Sequence, residues 1–137
     1  MQEDNELRDA TFAFYEAVAT GDEEALRTMA SDEPGFLFIG TAPDEWWDSH
    51  GVFVQAALDQ HDQAPDISVR AGEITASSEG DFGIVADTPV FVLPDGTETP
   101  FRLTAVARRT GEGWRFVQGH TSLGVSNQQV LGQELQG

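Results

Sequence analysis

The feature that most constrains this chain is a change of hydrophobic period near Pro65. Before it, apolar residues recur every three or four positions; after it, they come in runs rich in β-branched and aromatic residues, cut by short turns. Leu7, Ala10, Phe14 and Val18, flanked by Thr11 and Tyr15, make one face of a first helix that ends at Gly21. Asp22 reads as the N-cap of a short second helix through Glu23, Leu26 and Met29. Phe36 to Ile39 is too short and too apolar for an exposed helix and reads as a buried strand, followed by the loop GTAPDEWW. Ser49 caps a third helix, with His50, Phe53, Val54, Ala57, Leu58 and His61 on one face. Four strands are expected beyond it, at Ile67 to Ser77, Phe82 to Leu93, Phe101 to Arg109 and Trp114 to Val125. The intervening turns are short enough to join antiparallel neighbours. Helices first and strands later predict an α+β domain, three N-terminal helices against a curved, mostly antiparallel sheet.

At 137 residues the chain fits one domain, expected over residues 1–125, with 126–137 a tail that is a short helix or disordered. A chain of this size buries roughly two-thirds of its unfolded surface. With no cysteine, its core comes from packing alone. The formal charge of −17, with 24 acids and seven bases, all arginine, would repel phosphate backbones and anionic lipid. Nucleic acid and membrane surfaces are therefore not expected partners. The start MQEDNELRDA has neither a basic stretch nor an apolar core, and no apolar run approaches the roughly 20 residues of a spanning helix, so a cytoplasmic protein is expected. The acids are spread along the chain, as on a solvated surface.

Element order and three local patterns, GTAPDEWW at 40–47, FRLTAVARR at 101–109 and GWRFVQGHTSLGVSN at 113–127, resemble the SnoaL-like branch of the nuclear transport factor 2-like superfamily. That resemblance implies a cone-shaped fold, in which a bent sheet wraps a helix and leaves a pocket. The last pattern, a tryptophan followed six residues on by His120 and then Ser122, is also similar to the closing strand of the calcium/calmodulin-dependent kinase association domain, a non-catalytic, oligomerising relative. One scaffold serves isomerases, cyclases, dehydratases and assembly domains, so the likeness carries no activity with it. Ketosteroid isomerases of this fold use a carboxylate near the first strand, with a tyrosine and a protonated aspartic acid on the oxyanion. Tyr15 lies where the resemblance places that tyrosine, but no acid follows the first strand before Asp44, and the stretch around Val106 has none.

Strand alternation puts Trp114, Phe116, Gln118, His120 and Ser122 on one face. His120 is then either a pocket acid/base, its ordinary pKa of about 6.5 suiting proton exchange near neutrality, or a hydrogen-bonded structural residue. Arg102, amid apolar neighbours, either clamps an anionic group or pairs with an acid such as Asp87. Of the adjacent Trp46 and Trp47, one is expected to wall a pocket or lid the open end of the cone. The spacing Asp44, Glu45, Asp48, His50 matches no strong metal motif, and no phosphate loop, cysteine nucleophile or GxSxG is present, so neither metal nor cofactor is expected.

Two functions of different class fit these residues. The first is a small-molecule-binding domain with Tyr15, Trp46, Trp47, Arg102 and Trp114 around a small hydrophobic or aromatic ligand. Its most economical reaction would be isomerase- or cyclase-type proton transfer beside a carbonyl, with His120 or Asp44 as base and Arg102 or Tyr15 on the enolate oxygen. The second is a non-catalytic dimeric assembly module with a vestigial pocket. Apolar residues on both faces of the long strands, such as Ile84 against Val85, predict a homodimer through the outer face of the sheet.

Overall fold

A computed structural model describes residues 1–137. The helices expected from the period form as α1 (Asn5–Thr20), α2 (Glu23–Met29) and α3 (His50–Gln63), and a fourth, α4 (Asn127–Leu131), lies in the C-terminal segment. Side chains cap each: Asp4 accepts from the Leu7 N–H at 2.8 Å, Asp22 from Ala25 at 3.1 Å and Ser49 from Val52 at 3.3 Å. Gly21 closes α1 in the left-handed region at φ 65°, where a side chain would be strained. No helix is long and apolar enough to cross a membrane.

Ten strands form two sheets: β1 (Gln2–Glu3), β2 (Leu37–Ile39), β3 (Trp46–Trp47), β4 (Ser68–Arg70), β5 (Thr75–Glu79), β6 (Phe82–Asp87), β7 (Val90–Val92), β8 (Glu98–Pro100), β9 (Arg102–Thr110) and β10 (Gly113–Ser122). The larger sheet runs β1-β5-β6-β9-β10-β2-β3, antiparallel except where β2 pairs parallel with β10. The smaller runs β4-β7-β8. Two runs expected as single strands are each divided between these sheets. Phe82 to Leu93 breaks at Thr88-Pro89, because proline has no N–H for the ladder. Ile67 to Ser77 breaks around Gly72, leaving β4 in the small sheet and β5 in the large one.

The large sheet alternates strictly along β6 and the first part of β9: Val85 and Asp87, and Leu103, Ala105 and Ala107, face inward, whereas Ile84, Thr104 and Arg108 face outward. Inside, Val85, Leu103, Ala105 and Ala107 join Leu7, Phe14, Tyr15, Leu26, Phe36, Phe53 and Val54 in one hydrophobic core. In β10 the alternation slips. The pairing to β9 shifts between Phe116 and Gln118, so Val117 is an extra residue in a bulge. Trp114 and Phe116 face inward before it, and Gly119 and Thr121 face inward after it. Gln118 and His120 are thereby moved to the outer face, which corrects the expectation that Trp114 and His120 share a side.

Candidate functional site

Between helices and sheet lies a cavity of about 540 Å³, 16 of whose 24 lining residues are hydrophobic. Four aromatic rings form one wall: Phe14 from α1, Phe38 from β2, Trp47 from β3 and Phe53 from α3, with centroids 4.8–6.2 Å apart. The small sheet contributes Val69 and Phe91, and Phe91 stacks on Phe101 at 4.0 Å. Burial of this much aromatic surface holds the helices to the sheet, yet the rings line the space rather than fill it.

Tyr15 reaches the cavity from α1 and is only 4% exposed. Its hydroxyl donates to Asp87 Oδ2 at 2.8 Å, where Asp87, at the end of β6, is 6% exposed. The same carboxylate accepts from the Gly72 N–H at 3.2 Å and the Thr88 N–H at 2.8 Å, so a buried charge is met by three donors. Burial first, then the bond to Asp87 and its charge, push the Tyr15 phenol well above its ordinary range. The phenol stays protonated and its proton points at Asp87, leaving the oxygen lone pairs free.

A second polar group is Glu45, whose side chain folds back over the β2–β3 loop. Oε1 accepts from the Ala42 N–H at 2.9 Å and Oε2 from Gln60 Nε2 at 2.6 Å, which ties the loop to α3. A Cβ at Gly40 would stand 2.5 Å from Oε1, so only glycine admits this conformation. His61, in the last turn of α3, completes the ionisable lining with its ring against Gly21.

The structure separates the residues that the sequence grouped. Tyr15 and Trp47 line the cavity. Trp46 is 60% exposed and Asp44 lies exposed in the loop, since neighbouring residues of an extended segment point apart. Trp114 is buried core beneath the Arg109 guanidinium, 4.5 Å from the ring centroid. Arg102 and His120 do share a face, Arg102 opposite Ser122 and His120 opposite Thr104, but it is the outer one. There Arg102 Nε donates to Ser122 Oγ at 3.1 Å, so its partner is not Asp87. His120 lies in a groove of about 420 Å³ with Ile84, Thr104, Val106 and Gln118. Glu45 and His61 also line the cavity, where the sequence does not place them. The signal for Glu45 was the Gly40 turn with Trp47 two residues beyond it; His61 was assigned only to a helix face.

The family described as the SnoaL-like domain matches residues 7–126. No curated protein sequence matches significantly. Among solved structures, a proposed dehydratase of the NTF2-like family from Streptomyces avermitilis superposes with a TM-score of 0.79 at 20% identity, covering 89% of this chain and 96% of that one. An NTF2-like protein with a cystatin-like fold from Novosphingobium aromaticivorans gives 0.74 at 21%, covering 94% and 88%. A CaMKII hub from S. rosetta gives 0.73 at 21%, covering 86% and 94%. At these identities the likeness is one of fold.

Proposed function

This chain belongs to the SnoaL-like domain family, and on that premise we propose that it binds a small, largely apolar molecule in the cavity between α1, α3 and the sheet. The observation that carries this reading is the open space of about 540 Å³, in the size range of small-molecule sites, behind a wall of aromatic rings. A vestigial pocket would be filled by those rings. The hydrogen bonds favour binding over enolate chemistry, because the Tyr15 proton that would stabilise an oxyanion is held by Asp87. Titration of 1-naphthalenemethanol, followed by tryptophan fluorescence, tests it. Saturable one-to-one binding, lost in an Ala57→Phe variant that fills the cavity yet keeps the wild-type circular dichroism, is expected. Equal binding by that variant would overturn the assignment.

A second activity of the same fold, self-association, is favoured by the outer face. Phe82 and Ile84 are about half exposed there, 49% and 53%, beside Val106. We propose that a second copy covers this face in a homodimer. The expected result is a dimer in sedimentation at tens of micromolar in moderate salt, converted to monomer by Ile84→Asp. A single monomeric species for the wild type would contradict it.

A further inference from the structure

We infer that the ligand of the cavity is an organic cation, a protonated or quaternary amine on an apolar body. This deepens the binding reading above and rests on it.

None of the seven arginines lines the cavity, and the chain has no lysine. Five arginines are held in ion pairs elsewhere: Arg8 with Glu3, Arg27 with Glu23, Arg70 with Glu98, Arg109 with Asp4 and Arg115 with Glu112. Arg102 bonds Ser122, and Arg108 lies over the Phe82 ring on the outer face. A carboxylate or phosphate in the cavity would therefore meet no arginine or lysine, with His61 the one basic side chain of the lining, and it would enter against a formal charge of −17.

The cavity's carboxylate is Glu45. Its two oxygens take one hydrogen bond each, from Ala42 and Gln60, and each retains a lone pair. The neighbouring polar groups use donors within the protein. The Tyr15 hydroxyl donates to Asp87, the Thr121 hydroxyl to the Ile39 carbonyl at 3.2 Å, and Gln60 Nε2 to Glu45. With their protons so directed, the Tyr15 and Thr121 hydroxyls can offer a ligand accepting lone pairs. Close to Glu45 in sequence, Trp47 opens the aromatic wall, whose ring faces attract a desolvated cation. A carboxylate with free lone pairs, two hydroxyl acceptors and an aromatic wall together make a recognition set for ammonium.

The test uses three probes with one apolar body, 1-naphthylmethylammonium, 1-naphthalenemethanol and 1-naphthoate, titrated by calorimetry in moderate salt. The ammonium is expected to bind about tenfold more tightly than the alcohol, a difference of about 1.4 kcal/mol. The naphthoate is expected to bind most weakly. Glu45→Gln, which keeps an oxygen for the Ala42 N–H, should abolish the ammonium preference, bringing the ratio of the ammonium and alcohol affinities within that variant to about one. Glu24→Gln, an exposed site far from the lining, should change neither, separating Glu45 from the general negative field. Equal affinity for ammonium and alcohol, or a preference that survives Glu45→Gln, would overturn the inference and leave the cavity a neutral apolar site. Failure of all three probes to bind would overturn both this inference and the binding reading.

Discussion

The two faces of β9 are built from alternate residues of one nine-residue strand, yet they have become different surfaces. Leu103, Ala105 and Ala107 look into the core, and Leu103 also lines the cavity. Thr104 and Val106 look outward, onto a groove that holds His120, and Arg108 lies over the Phe82 ring on the same side. The inner surface is largely apolar, with Tyr15, Glu45 and Thr121 tied by hydrogen bonds; the outer one is mixed, exposed and without a charged partner for its histidine. The difference teaches that chemistry-bearing residue types do not mark the site here. His120 and Arg102 went to the face with the smaller space, and the larger, apolar cavity kept a tyrosine, a glutamate and a second histidine.

The largest effect should come from breaking the inner wall. Phe53, 3% exposed and packed among four other aromatic rings, is expected to cost about 3–5 kcal/mol as Phe53→Ala in urea denaturation. Ile84→Asp, on the other face, should leave the protomer fold and cavity binding intact.

Next is Tyr15→Phe, which leaves a buried Asp87 one donor short and should cost about 1–3 kcal/mol. Because the folded phenol is raised, its stabilising contribution is complete below the unfolded value of about 10 and is lost as pH rises above it. Tyr15 is the chain's one tyrosine, so phenolate absorbance should appear only with alkaline unfolding. Phenolate in folded protein near pH 10 would contradict the burial argument.

At the rim of the sheet, Asp4 caps α1 while also accepting from Ser78 at 2.7 Å and Arg109 at 3.0 Å. The Ser78 hydroxyl, the Leu7 N–H and the Arg109 guanidinium hold its carboxyl below the usual carboxylate range. A lowered pKa stabilises above the unfolded value of about 4 and is lost as pH falls through the folded one. Asp4→Ala should cost about 1 kcal/mol at neutral pH, and the difference from wild type should shrink in acid denaturation. The smallest effect is expected at His120. His120→Ala should change stability by less than about 0.5 kcal/mol and leave naphthalenemethanol affinity unchanged, as for an exposed position.

How far the sequence could be read follows from the physics of each element. The helices were legible because period, N-caps and Gly21 all agree, and the resemblance supplied the cone that composition could not. The site was less legible because it depends on one residue. Without Val117 as an extra residue, the alternation counted from Trp114 would carry His120 inward; with it, every later side chain changes face. No local signal in GWRFVQGH marks that bulge. Asp87 was visible as an odd acid in IVADTPVFV, but its partner came from α1, 72 residues away, rather than from Arg102. Pro89 predicts the break in its strand, a signal that the apolar run concealed.

The most direct test of the central claim, that the inner cavity rather than the groove bearing His120 is the binding surface, is a methyl and aromatic side-chain chemical-shift titration of labelled protein with 1-naphthalenemethanol. Leu103 and Thr104 are adjacent on β9 but belong to opposite faces, so the side chains around them report separately. The account predicts that the methyl and ring signals of Phe14, Trp47, Ala57 and Leu103 shift together with one saturation curve, while those of Ile84, Thr104, Val106 and His120 stay in place. Saturable shifts confined to the second group would contradict it.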